Sequence, residues 1–390
     1  MSTSPRAQLR PLTSLRFFAA VYVVIFHYWT SYHLSATRPL IVELGYTGVT
    51  FFFILSGFIL SYSHEADGQF PPEQRRRYFV ARFARIYPVY IATILVMYPG
   101  LLPSLAFSAL DHVLRLLWAV SSPFALQAWI PGAACSLNCP NWSISAEAFF
   151  YALFPIVFAT VYRHAKTALP LIGLAMIVTW TAQMIGWQWT GRSLTQMANI
   201  QPLADPVGDL IAQFIFYFPP MRLAEFLLGI CLYSLWQKGG RNIPAAYLYA
   251  VALAGAIAVY LVAPVLPENV LRNGFATLCY MPLIIAAANT KTGPLNSRLL
   301  VWLGQISFAL YLIHSPVDSY MRTADGLVFG AQLSTMPILF LTLSSGVALL
   351  AAAFLYHVIE EPSRRAIMRR LSEFTARGRS ARDTLANRST

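Results

Sequence analysis

Of the 390 residues, 57% are hydrophobic and only 11% are charged, which excludes an ordinary soluble globular domain. The composition instead predicts an all-α, polytopic membrane protein. The net charge of +12 does not indicate a nucleic-acid partner, because 22 of the 28 Lys and Arg residues fall in segments that the predicted spans place on one side of the bilayer. By the positive-inside rule that side is the cytoplasm, and both termini are predicted to lie there.

Windows of about twenty apolar residues predict about ten transmembrane helices. In chain order these are Leu15–Leu34, Leu44–Ser63, Ile86–Leu102, Ile144–Tyr162, Ala168–Trp187, Leu210–Trp236, Ala245–Val265, Asn273–Asn289, Leu299–Tyr320 and Met336–Ile359. The first run is too long for a signal peptide and lacks a cleavage site, so it is predicted to stay in the mature protein. The eighth span is short, and residues 104–120 are predicted to form an interfacial or re-entrant helix.

The sequence predicts one integral domain, residues 10–365, between a cytoplasmic segment, residues 1–9, and a basic cytoplasmic tail, residues 366–390. The tail is polar and rich in arginine, which predicts a short amphipathic helix followed by disorder. No soluble catalytic domain is expected at either end, so the chemistry is expected in or beside the membrane. Cys135 and Cys139 fall in one predicted outer loop and either form a disulfide there or remain free thiols.

Two ionisable residues, Arg16 and His27, lie in the first predicted span. Their spacing of eleven residues makes about three helical turns, so both lie on one face, about 16 Å apart along the axis. Ionisable groups within a span are costly, and a histidine shielded from water is suited to act as a general base for a hydroxyl. The alternative is an arginine that reaches the headgroups and a histidine that bonds a neighbouring helix.

Arg82 and Arg85 are three residues apart at the predicted cytoplasmic end of the third span, and so are neighbours on one helix face. Arginines at this position often only determine topology. Two guanidinium groups on one face can also bind phosphates in bidentate fashion. The second interpretation predicts a phosphorylated donor from the cytoplasm.

Glu147 lies one turn into the fourth predicted span. In a structural interpretation Asn141 or Ser143 caps the helix, and Glu147 favours its positive N-terminal end. In a functional one the carboxylate orients and stabilises a histidine, or holds a sugar hydroxyl. Trp142 is a candidate for stacking on a sugar ring, although tryptophans near loops more often serve at the membrane interface.

Two prolines at positions 219 and 220 are predicted to break the sixth span, and Arg222 and Glu225 follow at a spacing that allows an ion pair. Broken spans occur where the backbone lines protein or a watery cavity, so this segment is predicted to border the site, as a structural or a functional pair. Tyr311 and His314 lie on adjacent turns of the ninth span, where a helix-packing histidine is the default interpretation.

Other common motifs are absent from the sequence. It contains no Gly-rich phosphate loop, no paired zinc cysteines and no nucleophile-elbow serine, and no metal is expected. The serine and glycine in FFFILSGFIL are expected to allow close packing of two helices.

In this order and at this spacing, the segments resemble the integral-membrane acyltransferase-3 family over most of the chain. The segments that carry the resemblance are LRPLTSLRFFAAVYVVIFHY, GYTGVTFFFILSGFIL, RRRYFVARFARIYPVY, NWSISAEAFFYALFP, MRLAEFLLG, ISFALYLIH and IEEPSRR.

The resemblance implies an O-acetyltransferase in a bacterial inner membrane. Its acyl donor would be cytoplasmic acetyl-CoA, and its acceptor a hydroxyl of a carbohydrate beyond the membrane, such as lipopolysaccharide, exopolysaccharide or capsule. The resemblance makes His27 the catalytic histidine, Arg16 its partner, Arg82 and Arg85 the donor-side arginines, and Glu147 the carboxylate of the site. Two alternatives stay open: a transporter for a small anion or lipid-linked sugar, and a polysaccharide polymerase or ligase.

Overall fold

The computed structural model describes residues 7–32, 34–35, 38–64, 72–101, 116–117, 119–130, 133–135, 137–188 and 215–386. Over these residues the regular structure is helical and includes no β-strand, which confirms the predicted all-α class. The principal helices are α1 (Arg10–Ser31), α2 (Gly48–His64), α3 (Pro72–Leu101), α4 (Trp142–Arg163), α5 (Ala165–Gln188), α6 (Leu223–Gln237), α7 (Ala245–Val262), α8 (Thr277–Asn289), α9 (Arg298–Val328), α10 (Pro337–Phe354) and α11 (Glu361–Ala386). Short helical segments precede α2 at Leu40–Glu43 and Leu44–Thr47, and α8 at Glu268–Val270.

Each of the ten predicted spans corresponds to one of the helices α1 to α10. Nine helical segments in the described part of the chain are long and apolar enough to cross a membrane. The exception is α6, whose 15 residues extend about 22 Å, less than the hydrocarbon thickness of about 30 Å. The two prolines form a 3-10 turn, Pro219–Arg222, directly before α6, which confirms the predicted break. Residues 210–214 and most of residues 104–120 lie outside the described ranges.

Hydrogen bonds between the ends of helices show how the bundle is arranged. Tyr62, near the end of α2, donates to the Ala7 carbonyl, and Ser14 in α1 donates to the Leu295 carbonyl just before α9. The end of α2 and the starts of α1 and α9 therefore lie together. The arginine-rich α11 packs against α3, with the Arg76 guanidinium 4.3 Å from the centre of the Phe374 ring.

The helix of the basic tail is longer than predicted. A six-residue π-helical segment, Leu355–Glu360, joins α10 to α11. The boundary predicted between residues 365 and 366 therefore falls inside a helix of 26 residues rather than before a short one. Cys135 and Cys139 form a disulfide bond, as one of the two interpretations predicted.

Helix α2 packs closely on α6 through two glycines. A Cβ atom added at Gly57 would lie 2.1 Å from the Phe226 carbonyl oxygen, and one added at Gly229 would lie 2.1 Å from the Ile54 carbonyl oxygen. No side chain fits between the two backbones at this crossing. The predicted role of Gly57 in close helix packing is confirmed, and the contact sets the position of α2 at the centre of the bundle.

We expect Gly57→Val to lower the yield of folded protein sharply, because the new side chain must push α6 off α2. Overpacking of this kind typically costs about 1–3 kcal/mol of stability, and here the obstructing atom belongs to the backbone. The measurement is the melting temperature and the monodisperse fraction in detergent. Gly173→Val is the matched control, since a Cβ at Gly173 meets nothing within 4 Å. An unchanged melting temperature for Gly57→Val would contradict the packing argument.

Candidate active site

Two cavities lie side by side within the bundle. The first, called the arginine cavity, has a volume of about 100 Å³ and its charged lining residues are Arg16, Arg82, Arg85 and Glu147. The second, called the histidine cavity, has a volume of about 290 Å³ and is lined by His27, Arg38, Arg222, Arg272 and several aromatic side chains. Val49 and Tyr311 line both cavities. These two residues therefore form the partition between them.

The arginine cavity carries positive charge without a matching carboxylate for each cation. Arg85 forms an ion pair with the buried Glu360, with 2.5 Å between Nη1 and Oε1. Arg16 and Arg82 form no ion pair within the described ranges, and the Nε atom of each is buried without a hydrogen-bond partner. Buried cations are normally paired, so the two free guanidinium groups indicate a site for an anionic ligand.

Glu147 lies in the arginine cavity and does not reach His27. Its Oε1 atom accepts hydrogen bonds from the Tyr151 hydroxyl at 2.5 Å and the Ser56 hydroxyl at 3.3 Å. One interpretation of the sequence had Glu147 orient a histidine. The structure does not bring its carboxylate to the His27 ring. Sequence reasoning missed Tyr151, although it follows Glu147 by four residues, a spacing that makes them neighbours on one helix face. Ser56, the serine of FFFILSGFIL that was expected to allow close helix packing, instead lines this cavity and bonds Glu147.

The predicted cap of α4 is wrong. Asn141 is the N-cap residue, but its side chain makes no capping hydrogen bond. Its Oδ1 atom instead accepts from the Asn138 side chain at 3.1 Å, and the Ser143 hydroxyl donates to the Pro140 carbonyl at 2.9 Å. The helix begins in a 3-10 turn, Cys139–Asn141, so backbone bonds rather than a side chain start it.

His27 lines the histidine cavity, and its two ring nitrogens differ in their partners. Nδ1 lies 2.9 Å from the Val23 carbonyl oxygen and 3.2 Å from Nε2 of His314. Nε2 of His27 has no hydrogen-bond partner among the described residues, and the residue lines the cavity. His314 is fully buried and bonds the Tyr311 carbonyl at 2.7 Å, so it is the packed histidine that the sequence predicted.

Arg222 and Glu225 form the predicted ion pair, and Arg222 also borders the histidine cavity. The pair is bidentate, with distances of 2.7 Å from Nε to Oε2 and 2.9 Å from Nη2 to Oε1. The Thr50 hydroxyl donates to Glu225 at 2.6 Å, which ties α2 to α6. Only 3% of Arg222 is exposed, and its guanidinium lies 5.4 Å from the centre of the Trp142 ring.

Two further arginines of the histidine cavity were missed by sequence reasoning. Arg38 pairs with Glu43 at 2.9 Å, and Arg272 pairs with Glu268. Burial lowers the pKa of the Arg38 guanidinium, and the neighbouring Glu43 carboxylate partly offsets that effect. The available signal was the Glu268 and Arg272 spacing of four residues just before the short eighth span.

Aromatic side chains complete the histidine cavity. Trp142 is 8% exposed and its ring centre lies 5.1 Å from that of Tyr217, so it packs inside the protein rather than at the membrane interface. The Tyr311 hydroxyl donates to the Pro140 carbonyl at 3.2 Å, which holds the partition to the start of α4. The described residues include no cluster of three or more His, Cys, Asp or Glu side chains that could hold a metal ion.

Comparisons with known proteins agree with this arrangement. A family model described as an acyltransferase domain matches residues 12–357. The chain is 30% identical over 388 residues to Acyltransferase MdmB of Streptomyces mycarofaciens, covering 95% of each chain. It is 28% identical over 331 residues to Exopolysaccharide production protein ExoZ of Rhizobium meliloti, covering 82% of this chain and 89% of that protein. No solved structure matches the chain. The chain therefore belongs to the integral-membrane acyltransferase-3 family and is an enzyme that transfers acyl groups other than aminoacyl groups.

Proposed function

We propose that the enzyme is an O-acetyltransferase of a bacterial inner membrane. It takes acetyl from acetyl-CoA on the cytoplasmic side and transfers it to a hydroxyl of a carbohydrate on the opposite side. The observation that carries the proposal is the pair of adjoining cavities, one with unpaired arginines and one with the free nitrogen of His27, divided by Val49 and Tyr311. Two reactants that enter from opposite faces can meet at that partition.

The arginine cavity suits the donor. Coenzyme A carries several phosphates, and guanidinium groups bind phosphate more strongly than other cationic side chains do, through paired N–H donors. The volume of about 100 Å³ is small for a nucleotide. In our proposal the nucleotide stays at the mouth near Arg82 and Arg85, and the narrow thioester arm enters beside Arg16. Glu147 faces the same space and accepts hydrogen bonds from amide groups of that arm.

The histidine cavity suits a sugar. Its volume of about 290 Å³ is nearly three times that of the arginine cavity. Aromatic side chains such as Trp142 stack on the apolar faces of sugar rings. Arg38, Arg222 and Arg272 supply N–H donors for hydroxyl and ring oxygens. One relative is named for exopolysaccharide production. Our proposed acceptor class is therefore an exopolysaccharide unit, or the lipopolysaccharide and capsule sugars that share its chemistry.

The proposed reaction is direct transfer. Nε2 of His27 takes the proton of the acceptor hydroxyl while the oxygen attacks the thioester carbon. The carbon–sulfur bond then breaks, and the proton passes from His27 to the departing sulfur, so coenzyme A leaves as the thiol. The products are the O-acetyl sugar and free coenzyme A. No acyl-enzyme intermediate is needed in this scheme.

The test uses the purified protein in liposomes with acetyl-CoA, labelled in its acetyl group, on one side and an exopolysaccharide repeat unit on the other. We expect labelled acetate ester in the glycan and an equal amount of free coenzyme A. Movement of the sugar without consumption of acetyl-CoA would support a transporter instead. Longer glycan without label would support a polymerase or ligase. Mass spectrometry of surface glycans from cells with and without the protein tests the same point in vivo.

A further inference from the structure

We propose that His314 is a positioning residue that fixes the tautomer and orientation of His27. The proposal rests on the proposed function, in which Nε2 of His27 is the base. His314 lines neither cavity and has no exposed surface, so it cannot touch either reactant. Any effect on the reaction must pass through the His27 ring, whose Nδ1 lies 3.2 Å from Nε2 of His314.

The hydrogen bonds of the two rings determine where each proton lies. Nδ1 of His314 faces the Tyr311 carbonyl oxygen at 2.7 Å, so it carries the N–H. A neutral imidazole has one N–H, and Nε2 of His314 is therefore an acceptor. Nδ1 of His27 then faces two acceptors, this nitrogen and the Val23 carbonyl at 2.9 Å, and must itself carry hydrogen. The lone pair of His27 is left on Nε2, at the cavity.

The backbone around His314 is held on both sides. The Tyr28 hydroxyl donates to the His314 carbonyl at 2.7 Å, and the Asn138 side chain donates to the Leu312 carbonyl at 2.9 Å. These bonds tie this turn of α9 to α1 and to the segment before α4. Because these bonds hold the backbone of His314, its Nε2 atom accepts a hydrogen bond from a fixed position, which a residue that orients His27 must do.

The same contact stabilises the charge that forms during the reaction. When Nε2 of His27 takes a proton, the ring becomes a cation whose Nδ1–H still donates to His314. A buried carboxylate plays this part in the catalytic triads of hydrolases. Here no carboxylate bonds either ring within the described ranges, so the neutral imidazole of His314 is the partner.

The test compares His314→Leu with His314→Gln in the reconstituted acetyl-transfer assay. Leucine removes the acceptor and keeps an apolar side chain, so we expect kcat to fall about 10²- to 10³-fold. The KM for acetyl-CoA should stay within about twofold, because His314 lies outside the arginine cavity. Glutamine places an amide oxygen near the position of Nε2, and its kcat should stay within about tenfold of wild type. His357→Leu is the control, since that histidine bonds Trp302 away from both cavities.

Nitrogen NMR of the protein labelled with ¹⁵N-histidine tests the bonding without any activity, with His27→Ala identifying the His27 signals. We expect His27 in the Nδ1–H form. Wild-type kcat for His314→Leu, equal losses for the leucine and glutamine variants, or a predominant Nε2–H form of His27 would each overturn the proposal. Failure of the wild-type protein to acetylate any acceptor would instead refute the proposed function, and the NMR result would still decide where the protons lie.

Discussion

Replacing His27 with alanine is expected to lower kcat for acetyl transfer by at least about 10³-fold. The substitution removes the ring nitrogen that faces the histidine cavity and leaves the residues of the arginine cavity in place. The KM for acetyl-CoA should therefore change little, since donor binding does not involve His27. Initial rates with labelled acetyl-CoA, measured over a range of donor concentrations, separate the two parameters.

His164→Ala serves as the control for this variant. His164 is exposed and its ring bonds the Thr160 carbonyl between α4 and α5, outside both cavities. It should show wild-type kcat. Retention of wild-type acetylation by His27→Ala would show that the base lies elsewhere, and the reaction scheme would have to be abandoned.

Replacing Arg16 with glutamine is expected to raise the KM for acetyl-CoA about 10- to 100-fold, the usual value of one charge-assisted hydrogen bond. We expect most of the stability to be retained, because Arg16 forms no ion pair within the described part of the chain and its Nε atom has no hydrogen-bond partner. Arg85→Gln makes the informative comparison. It leaves the buried Glu360 without its partner, and breaking such a pair costs about 3–5 kcal/mol. We expect Arg85→Gln to lower both donor affinity and the melting temperature.

Arg241→Gln is the control for these two variants, since Arg241 stacks on Trp236 outside both cavities. Titration of each variant with acetyl-CoA and a melting curve in detergent provide the two measurements. If Arg16→Gln changed the KM for the acceptor and left that for acetyl-CoA unaltered, the donor would not bind in the arginine cavity.

The helices were predictable because the bilayer imposes a length and an apolar composition on every span. The prolines at 219 and 220 likewise predicted the start of α6, since two successive prolines remove two backbone N–H donors and their rings crowd the preceding turn. The shortness of α6 was not predictable from hydropathy. Its residues are as apolar as a span, and the structure shows that ten of its 15 residues are buried within the protein.

The candidate residues were also found, but not their grouping. Arg16 and His27 lie on one face of α1 as their spacing predicts, yet one lines the arginine cavity and the other the histidine cavity. One interpretation of the sequence had Glu147 orient a histidine, but Glu147 lines the arginine cavity together with Arg16. Depth along a helix follows from sequence, whereas the direction in which a side chain faces a neighbour depends on how the helices rotate against each other.

The sequence alone located the apolar helices and the charged residues within them, and its motifs carried the resemblance to the family to which the chain belongs. It predicted about ten spans, whereas nine helical segments of the described residues are long and apolar enough to cross a membrane. The partition at Val49 and Tyr311 and the contact of His27 with His314 were decided by tertiary structure alone. That contact requires α1 and α9 to lie against each other, which Gly304 allows: a Cβ there would lie 1.8 Å from the Thr13 carbonyl oxygen. His27 and His314 are 287 positions apart and come into contact because the backbones of α1 and α9 touch. A contact between residues so far apart cannot be predicted from a local pattern of residues.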